Sequence, residues 1–435
     1  MKNLNVYIYD LDDKPPLVLA ILYGVQWALF LFPAIPMVTA LCAEAFKMDA
    51  VARVAFVQLT FLVAGSFTLI QSLWGHRYPL LEGPATAHLL TVLSLAPQGI
   101  GNIQAGMILG SIVMFSLGLL GNISFFSRIF TRNIVVVILM LIAFSITPHL
   151  TASLVGYGSP QNKAPQWLFF AFSSAVVIFT AFCSYHLKGI WKTLSLLIGV
   201  IAGTLFYPLI GSLDFTIWKQ ASWISIPTLW TPIAPKFSLI SSVSFAIAYL
   251  AVLVNALGSL AGIASITDNK RLNSSLKRSL TINGLSGIVC GLLGIVGLVS
   301  YSMSPGVVTA QRVASRYTLA VCGVVTIMIS LVPKIAATFA FVPSAVVSAV
   351  LCVAMGSQVG AALQMVTSST LTQRDGTVIG LSVLLGLIVS ILPPGLTASA
   401  HPVAQLFLKN GLISGIFLSL ILEHGLLRDK SKVEK

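Results

Sequence analysis

Few side chains in this chain can do chemistry, and their placement is telling. Only 12 of 435 residues are acidic, and most of these lie in tails or polar connections. Glu423 sits near the end of the last apolar run, while Glu82 alone falls inside an interrupted one. An ionisable group at membrane depth is costly and marks a functional site. A carboxyl there can exchange a proton or accept from a ligand N–H. It can equally cap the half-helix that begins after Gly83, since acidic groups favour helix N-termini. His88 follows six residues later, off the i, i+4 face, and can donate either to a ligand or to a neighbouring span. Tyr301 and Ser302 occur in a second interrupted run, where an aromatic can stack on a planar heterocycle or simply fill a gap. Other chemistry is missing. There is no GxxxxGK[ST], HExxH or GxSxG, and no Cys/His cluster that would hold a metal. The five cysteines are an odd number, lie in or beside apolar runs and form no CxxC.

The elements that carry these residues are set by composition. Hydrophobic residues make up 57% of the chain and charged residues 9%, against roughly 25% charged in a soluble domain. Such a chain cannot cover a water-facing surface, so a soluble enzyme, a nucleic-acid binder and a disordered protein are excluded. The formal charge of +13 comes from short basic clusters between apolar runs, which read as topology determinants. The expectation is an all-α polytopic membrane protein with the lipid bilayer as its main solvent.

Fourteen candidate spans are expected, near 17–43, 53–74, 79–96, 101–124, 133–153, 167–186, 190–211, 238–266, 280–299, 304–313, 317–340, 344–365, 376–394 and 402–427. Connections after even-numbered spans hold His76–Arg77, Arg128 with Arg132, Lys188 with Lys192, Lys270–Arg271 with Lys277–Arg278, Arg312 with Arg316, and Arg374. The tail holds Arg428, Lys430, Lys432 and Lys435, whereas odd connections hold singles such as Lys163, Lys219, Lys236 and Lys334. By the positive-inside rule, even connections and both termini face the cytoplasm of a cell membrane.

Residues 212–237, with Trp218, Trp223, Trp230 and three prolines, read as a segment at the outer interface. They separate residues 17–211 from 238–427, between the tails 1–16 and 428–435. Seven spans per half means that the halves insert with opposite orientation, the plan of inverted-repeat secondary transporters. In that plan, the binding site lies where matching spans of the two halves are broken. Spans three and ten both start irregular, meet a Gly/Pro pair (Gly83-Pro84 and Pro305-Gly306) and continue as short half-helices. Free N–H groups at their starts would cradle carbonyl or anionic oxygens, and two Pro-kinked ordinary helices are the other reading.

Several stretches resemble the xanthine/uracil permease family, the nucleobase–ascorbate transporters. They are Leu11-Asp12-Asp13-Lys14-Pro15-Pro16 with Gly24-Val25-Gln26, then Ile226-Pro227-Thr228-Leu229-Trp230-Thr231-Pro232, then Asn283-Gly284-Leu285-Ser286-Gly287, and Gly306 with Arg312. The resemblance covers nearly the whole chain. It implies a core domain of spans 1–4 and 8–11, a gate domain of spans 5–7 and 12–14, with short strands in spans 3 and 10. It also implies alternating access, an H⁺ or Na⁺ coupling ion, no cofactor, and a homodimer formed through the gate.

The family's base-binding carboxylate in span eight corresponds here to Asn255, and a second polar position to Ser259. The span-ten Glu or Gln falls on Met303 and the next Asn on Ser304, while the His after the first-span Gln is Trp27. An amide still offers donor and acceptor, whereas a thioether offers only a weak acceptor and an apolar face. Substrate-contact candidates are Glu82, Gly83, Ala85, His88, Asn255, Ser259, Tyr301, Ser302, Met303 and Ser304. Gln26, Asn283 and Gly306 are structural or coupling candidates. The expected function is nucleobase transport; a small-anion carrier of related fold, a non-transporting relative or receptor, and a membrane-embedded enzyme are the alternatives.

Overall fold

The computed structural model describes residues 7–120, 129–157, 164–213, 215–367, 370–393, 396, 401–408 and 410–427. The expectations at Arg128, Lys163, Asp214 and the 428–435 tail lie outside these residues. The first half runs α1 (Leu17–Leu29), α2 (Ala34–Ala45), α3 (Ala50–Leu73), β1 (Glu82–Pro84), α4 (Thr86–Leu95), α5 (Ile100–Leu120), α6 (Arg132–Ser145), α7 (Thr147–Leu154), α8 (Gln166–His186), α9 (Ile190–Thr193) and α10 (Ser195–Phe206). After the short α11 (Thr216–Gln220), the second half runs α12 (Leu239–Ile266), α13 (Leu272–Leu293), β2 (Leu298–Ser300), α14 (Ser304–Gln311), α15 (Arg316–Ser330) and α16 (Pro333–Ala340). It ends with α17 (Ser344–Thr367), α18 (Gln373–Ser390), α19 (Pro402–Leu408) and α20 (Gly411–Ile421).

Eight helices among the described residues are long and apolar enough to cross a membrane, or nine if α15 and α16, bent by 86° at their break, form one span. The chain is therefore a multi-pass membrane protein. The outward faces of α8 and α10 expose Ile178, Phe182, Leu205 and Phe206, side chains that suit lipid.

Polar side chains start several of the helices. Asp49 accepts from the Ala52 N–H at 2.7 Å, Asn410 accepts from Leu412 and Ile413, and Thr372 with Asp375 forms a capping box. Gly294, at φ +66°, takes the left-handed turn that ends α13. This corrects one expected span. The ninth helix begins at Leu272, eight residues early, so Lys277 and Arg278 lie within it rather than in the preceding connection. Residues 298–300, expected at its end, instead form β2.

Two packing groups emerge. In one, α3 packs on α15, α5 packs between α12 and α13, and α1 lies along α15. The close approach of α3 and α15 needs Gly65, where an added Cβ would sit 2.8 Å from the Gly323 carbonyl oxygen. In the other, α17 packs against α6, α8 and α10, while α18 packs against α6 and α20. Among the described residues of 212–237, exposure varies. Ile224 and Ile226 are exposed, but Trp230 reaches inward, its ring 5.7 Å from those of Phe46 and Phe56.

On one face, an N-terminal strap ties the first group together. The Ile8 N–H donates to Arg312, the Ala314 N–H to Tyr9, and the Ser315 hydroxyl to the Asp13 carbonyl. Asp12 bridges Arg316, at 2.7 Å, and Arg271. The Arg271 hydrogen bond, with Arg316 beside it, holds the Asp12 carboxyl down at about 2.

Candidate functional site

The two interrupted segments meet. β1 and β2 pair antiparallel in the middle of the first packing group, with Glu82 opposite Ser300, Gly83 opposite Val299 and Pro84 opposite Leu298. The Tyr301 N–H donates to Leu81 and the Ala85 N–H to Gly297, each at 2.8 Å. The pair exists because Pro79, Pro84 and Pro305 interrupt helical hydrogen bonding, and each strand answers the other's free groups. From this crossing, α4 and α14 run on as half-helices. Each begins with N–H groups that no intrahelical carbonyl takes. Gly83 is required, because any side chain there would collide with the Tyr301 ring.

One side of the crossing is closed. Glu82 is 1% exposed, and its Oε1 accepts from the Ser300 hydroxyl at 2.5 Å. The backbone N–H of Glu82 donates to Thr68 at 3.2 Å. His76 Nε2 lies 3.4 Å from the same Oε1, so His76 is a buried neighbour of the carboxyl and not the solvated loop cation expected. Ala85 is buried, and Ser304 is buried with its Oγ accepting from the Leu81 N–H at 3.3 Å. His88 is fully buried between the rings of Tyr249 and Phe245, its centroid 4.2 Å from Tyr249. Neither of its ring nitrogens has a well-formed hydrogen bond, Nδ1 lying against Gly297. Asn283 donates to the Leu298 carbonyl at 3.4 Å, which ties α13 to β2. Gln26 is half-buried, with an unpartnered Nε2.

The other side is open. Asn255, Gly258, Ser259 and Gly262 share one face of α12 by their i, i+3, i+4, i+7 spacing. That face lies against β2 and α14. Ser259 is buried, its hydroxyl shared between the carbonyls of Asn255 (2.9 Å) and Ser300 (3.0 Å). Asn255 is half-buried, and among the described residues no side-chain hydrogen bond occupies its amide. A Cβ built on Gly258 or Gly306 would meet nothing within 4 Å, so space stands open beside the amide. Ser302, Met303 and Gly306 are exposed along the start of α14, Met303 by 37%. Tyr301 is half-buried between the two sides, with its hydroxyl unpartnered. Helices of the second group approach here: α9 contacts α14, α6 contacts α4, and α17 contacts α2.

The thirteen candidates thus separate by exposure. Asn255, Ser302, Met303 and Gly306 face the open side, Glu82, Gly83, Ala85, His88, Ser259, Ser304 and Asn283 form the closed one, and the half-buried Gln26 and Tyr301 belong to neither. His76, Thr68 and Tyr249 were missed. Tyr249 lies inside α12, far along the chain from either break, and His76 stands beside an arginine that disguised it as a loop cation.

Comparison with known proteins gives the family. A xanthine/uracil permease model, described as a permease family, covers residues 19–395. The chain belongs to this family. The permease is 26% identical over 92% of its length to the uric acid permease PucK of Bacillus subtilis, covering 93% of that protein. It is 23% identical to the xanthine permease of the same organism, covering 92% of each chain. Among solved structures, it resembles the transmembrane domain of a cyanobacterial bicarbonate transporter, BicA, with a TM-score of 0.61 and 15% identity. That match covers 86% of the permease and 97% of the BicA domain, and it speaks to the fold alone. SLC26A9 gives a TM-score of 0.60 at 13% identity, covering 93% of the permease and 65% of that chain. The permease stands with transporters and not with enzymes.

Proposed function

We propose that this permease is a secondary transporter of a purine base of the urate or xanthine type. The observation that carries the reading is the unengaged Asn255 amide beside open space at the tip of α14. A purine edge carries N–H donors and C=O acceptors, and one amide meets both. Met303 offers an apolar contact to the ring face, and Tyr301 a further planar surface. The N-terminal N–H groups of α14 complete the polar wall for a carbonyl or anionic oxygen.

In this proposal, the first packing group is the core domain and the second the gate, and the core moves against the gate to open the site to each side in turn. The chain then makes fourteen spans in two inverted halves. Six of them are not long, straight, apolar helices: two are broken at the crossing, two are short, one is bent and one carries Lys277 and Arg278 in its N-terminal half. Both termini and the Asp12–Arg271–Arg316 face lie in the cytoplasm by the distribution of basic residues. The exposed apolar surface of the gate serves a homodimer, as the resemblance implies, and transport is coupled to an ion gradient.

A small anion is the second reading, favoured by the meeting of two half-helix N-termini at one crossing. A thermal-shift screen of purified protein with urate, xanthine, uracil, sulfate and bicarbonate tests both. A purine that raises the melting temperature by mass action supports the proposal. A shift with sulfate or bicarbonate and none with any base overturns it.

A further inference from the structure

The closed side of the crossing holds a titratable pair that the substrate reading leaves without a task. His76 and Glu82 are both buried, and their only ion-pair-range contact among the described residues is with each other. The surroundings fix the proton on the imidazole. The backbone N–H of Tyr78 donates to His76 Nδ1 at 3.0 Å, so that nitrogen is an acceptor and the ring hydrogen sits on Nε2, toward the carboxyl. The backbone N–H of His76 donates to the Gln71 side-chain carbonyl at 3.3 Å, and the Gln71 amide donates to the Ser279 carbonyl at 3.0 Å, which anchors this stretch of backbone to α3 and α13. Glu82 therefore accepts one hydrogen bond, from the Ser300 hydroxyl, and faces the His76 Nε2–H at 3.4 Å, outside hydrogen-bond geometry, with no fixed cation among the described residues. Around it, α3 presents Thr68 and Gln71, and β2 presents Ser300 followed by the Tyr301 phenol. α2 carries the buried Cys42 and the exposed Glu44, and the α3–β1 connection carries the half-buried Arg77 and the buried Tyr78 beside His76. The cations of α13, Lys277 and Arg278, form no ion pair with it.

We infer that Glu82 is the proton-carrying site of the transport cycle, that His76 is its positioning donor, and that the pair reports to the substrate site through Ser300 and Ser259. It deepens the transport reading above and rests on it. The connection is continuous. Ser300 donates through its hydroxyl to Glu82 and accepts through its carbonyl from Ser259, whose hydroxyl also reaches the Asn255 carbonyl. A proton given up by hydronium from the bulk, which leaves as water, makes one O–H bond on Glu82 and removes one buried negative charge. That neutralisation relaxes the pull on Ser300 and with it the register of β2 against the Asn255 turn. Loss of the proton restores the charge, which favours the arrangement that keeps the Ser300 hydroxyl on it and draws the His76 Nε2–H into hydrogen-bond range. The proton and the base thus occupy opposite sides of one two-stranded crossing.

The test is uptake of labelled urate into proteoliposomes under an imposed pH gradient and, separately, a sodium gradient. If one proton accompanies each substrate, a gradient of one pH unit drives about tenfold accumulation by the native protein. Glu82→Gln loses the response to the pH gradient. His76→Phe displaces the pH dependence of uptake, whereas His76→Gln, which keeps an N–H donor, follows the native profile. Infrared difference spectra between acidic and alkaline buffer supply a readout independent of transport: a carboxylic C=O band that is absent from Glu82→Gln. Retention of the pH-gradient response by Glu82→Gln, accumulation driven by sodium alone, or an unchanged infrared band overturns the inference. Failure of the native protein to bind or move any purine removes the proposed function instead, and the infrared band still decides the proton site.

Discussion

The two half-helix segments share a design and differ in what surrounds them. β1 and the first turns of α4 are buried except for the half-buried Thr86: Glu82, Gly83, Ala85 and His88 all turn into protein. β2 is equally buried, but the chain emerges at Ser302 and Met303 and keeps one face of α14 open. The lesson is a division of labour. One segment holds the only buried carboxyl of the crossing, and the other presents the wall that a ligand can touch.

The largest expected effect tests the crossing itself. Gly83→Val drives a side chain into the Tyr301 ring, at a cost of about 1–3 kcal/mol in overpacking, and transport is lost with it. Uptake near the native level would show that the strands do not need their close approach. Next comes the open side. Asn255→Ala removes the unengaged amide and weakens purine binding about 10- to 100-fold, read as a shift in titration midpoint, with little change in melting temperature of the free protein. On the closed side the pattern reverses. Ser259→Ala leaves the Ser300 carbonyl without its donor and lowers stability by about 1–3 kcal/mol, a loss visible in thermal melts without ligand. His88→Phe keeps the ring packing against Tyr249 and removes two unpartnered nitrogens, so stability holds within about 1 kcal/mol or rises. A collapse of binding in His88→Phe with a normal melt would move His88 to the open side.

The smallest effect belongs to the strap. Asp12 is held below its ordinary range by Arg271 and Arg316, so its contribution is present above the unfolded carboxylate value and fades as pH falls toward about 2. Its side chain is 45% exposed, which limits the pair to about 0.5 kcal/mol, and Asp12→Asn should lower the melting temperature by no more than about 2 °C.

Much of this comparison was legible in the residues. Prolines and glycines at 79–84 and 305–306 announce broken spans, because neither residue supports a helix interior, and their symmetry about residues 212–237 places them together. The start of α13 was not legible, since Lys277 and Arg278 resemble a connection until the helix is seen to carry them on its first turns. Exposure was not legible either. Asn255 and Ser259 are one helical turn apart and both polar, yet one amide is free and one hydroxyl is spent on Ser300. That distinction depends on which way α12 rolls against β2, a property of packing between distant segments. His76 was hidden for the same reason, since only the folded connection brings it back to Glu82.

Thiol labelling of Ser302→Cys, with Ala85→Cys as its buried counterpart, addresses the central claim most directly; four of the five native cysteines are buried, and Cys352 is half-buried. With urate or xanthine at about ten times its Kd, labelling at residue 302 should slow about tenfold, and residue 85 should stay unreactive with or without ligand. Equal labelling of residue 302 with and without every purine tested, or rapid labelling of residue 85, would contradict the division into an open and a closed side.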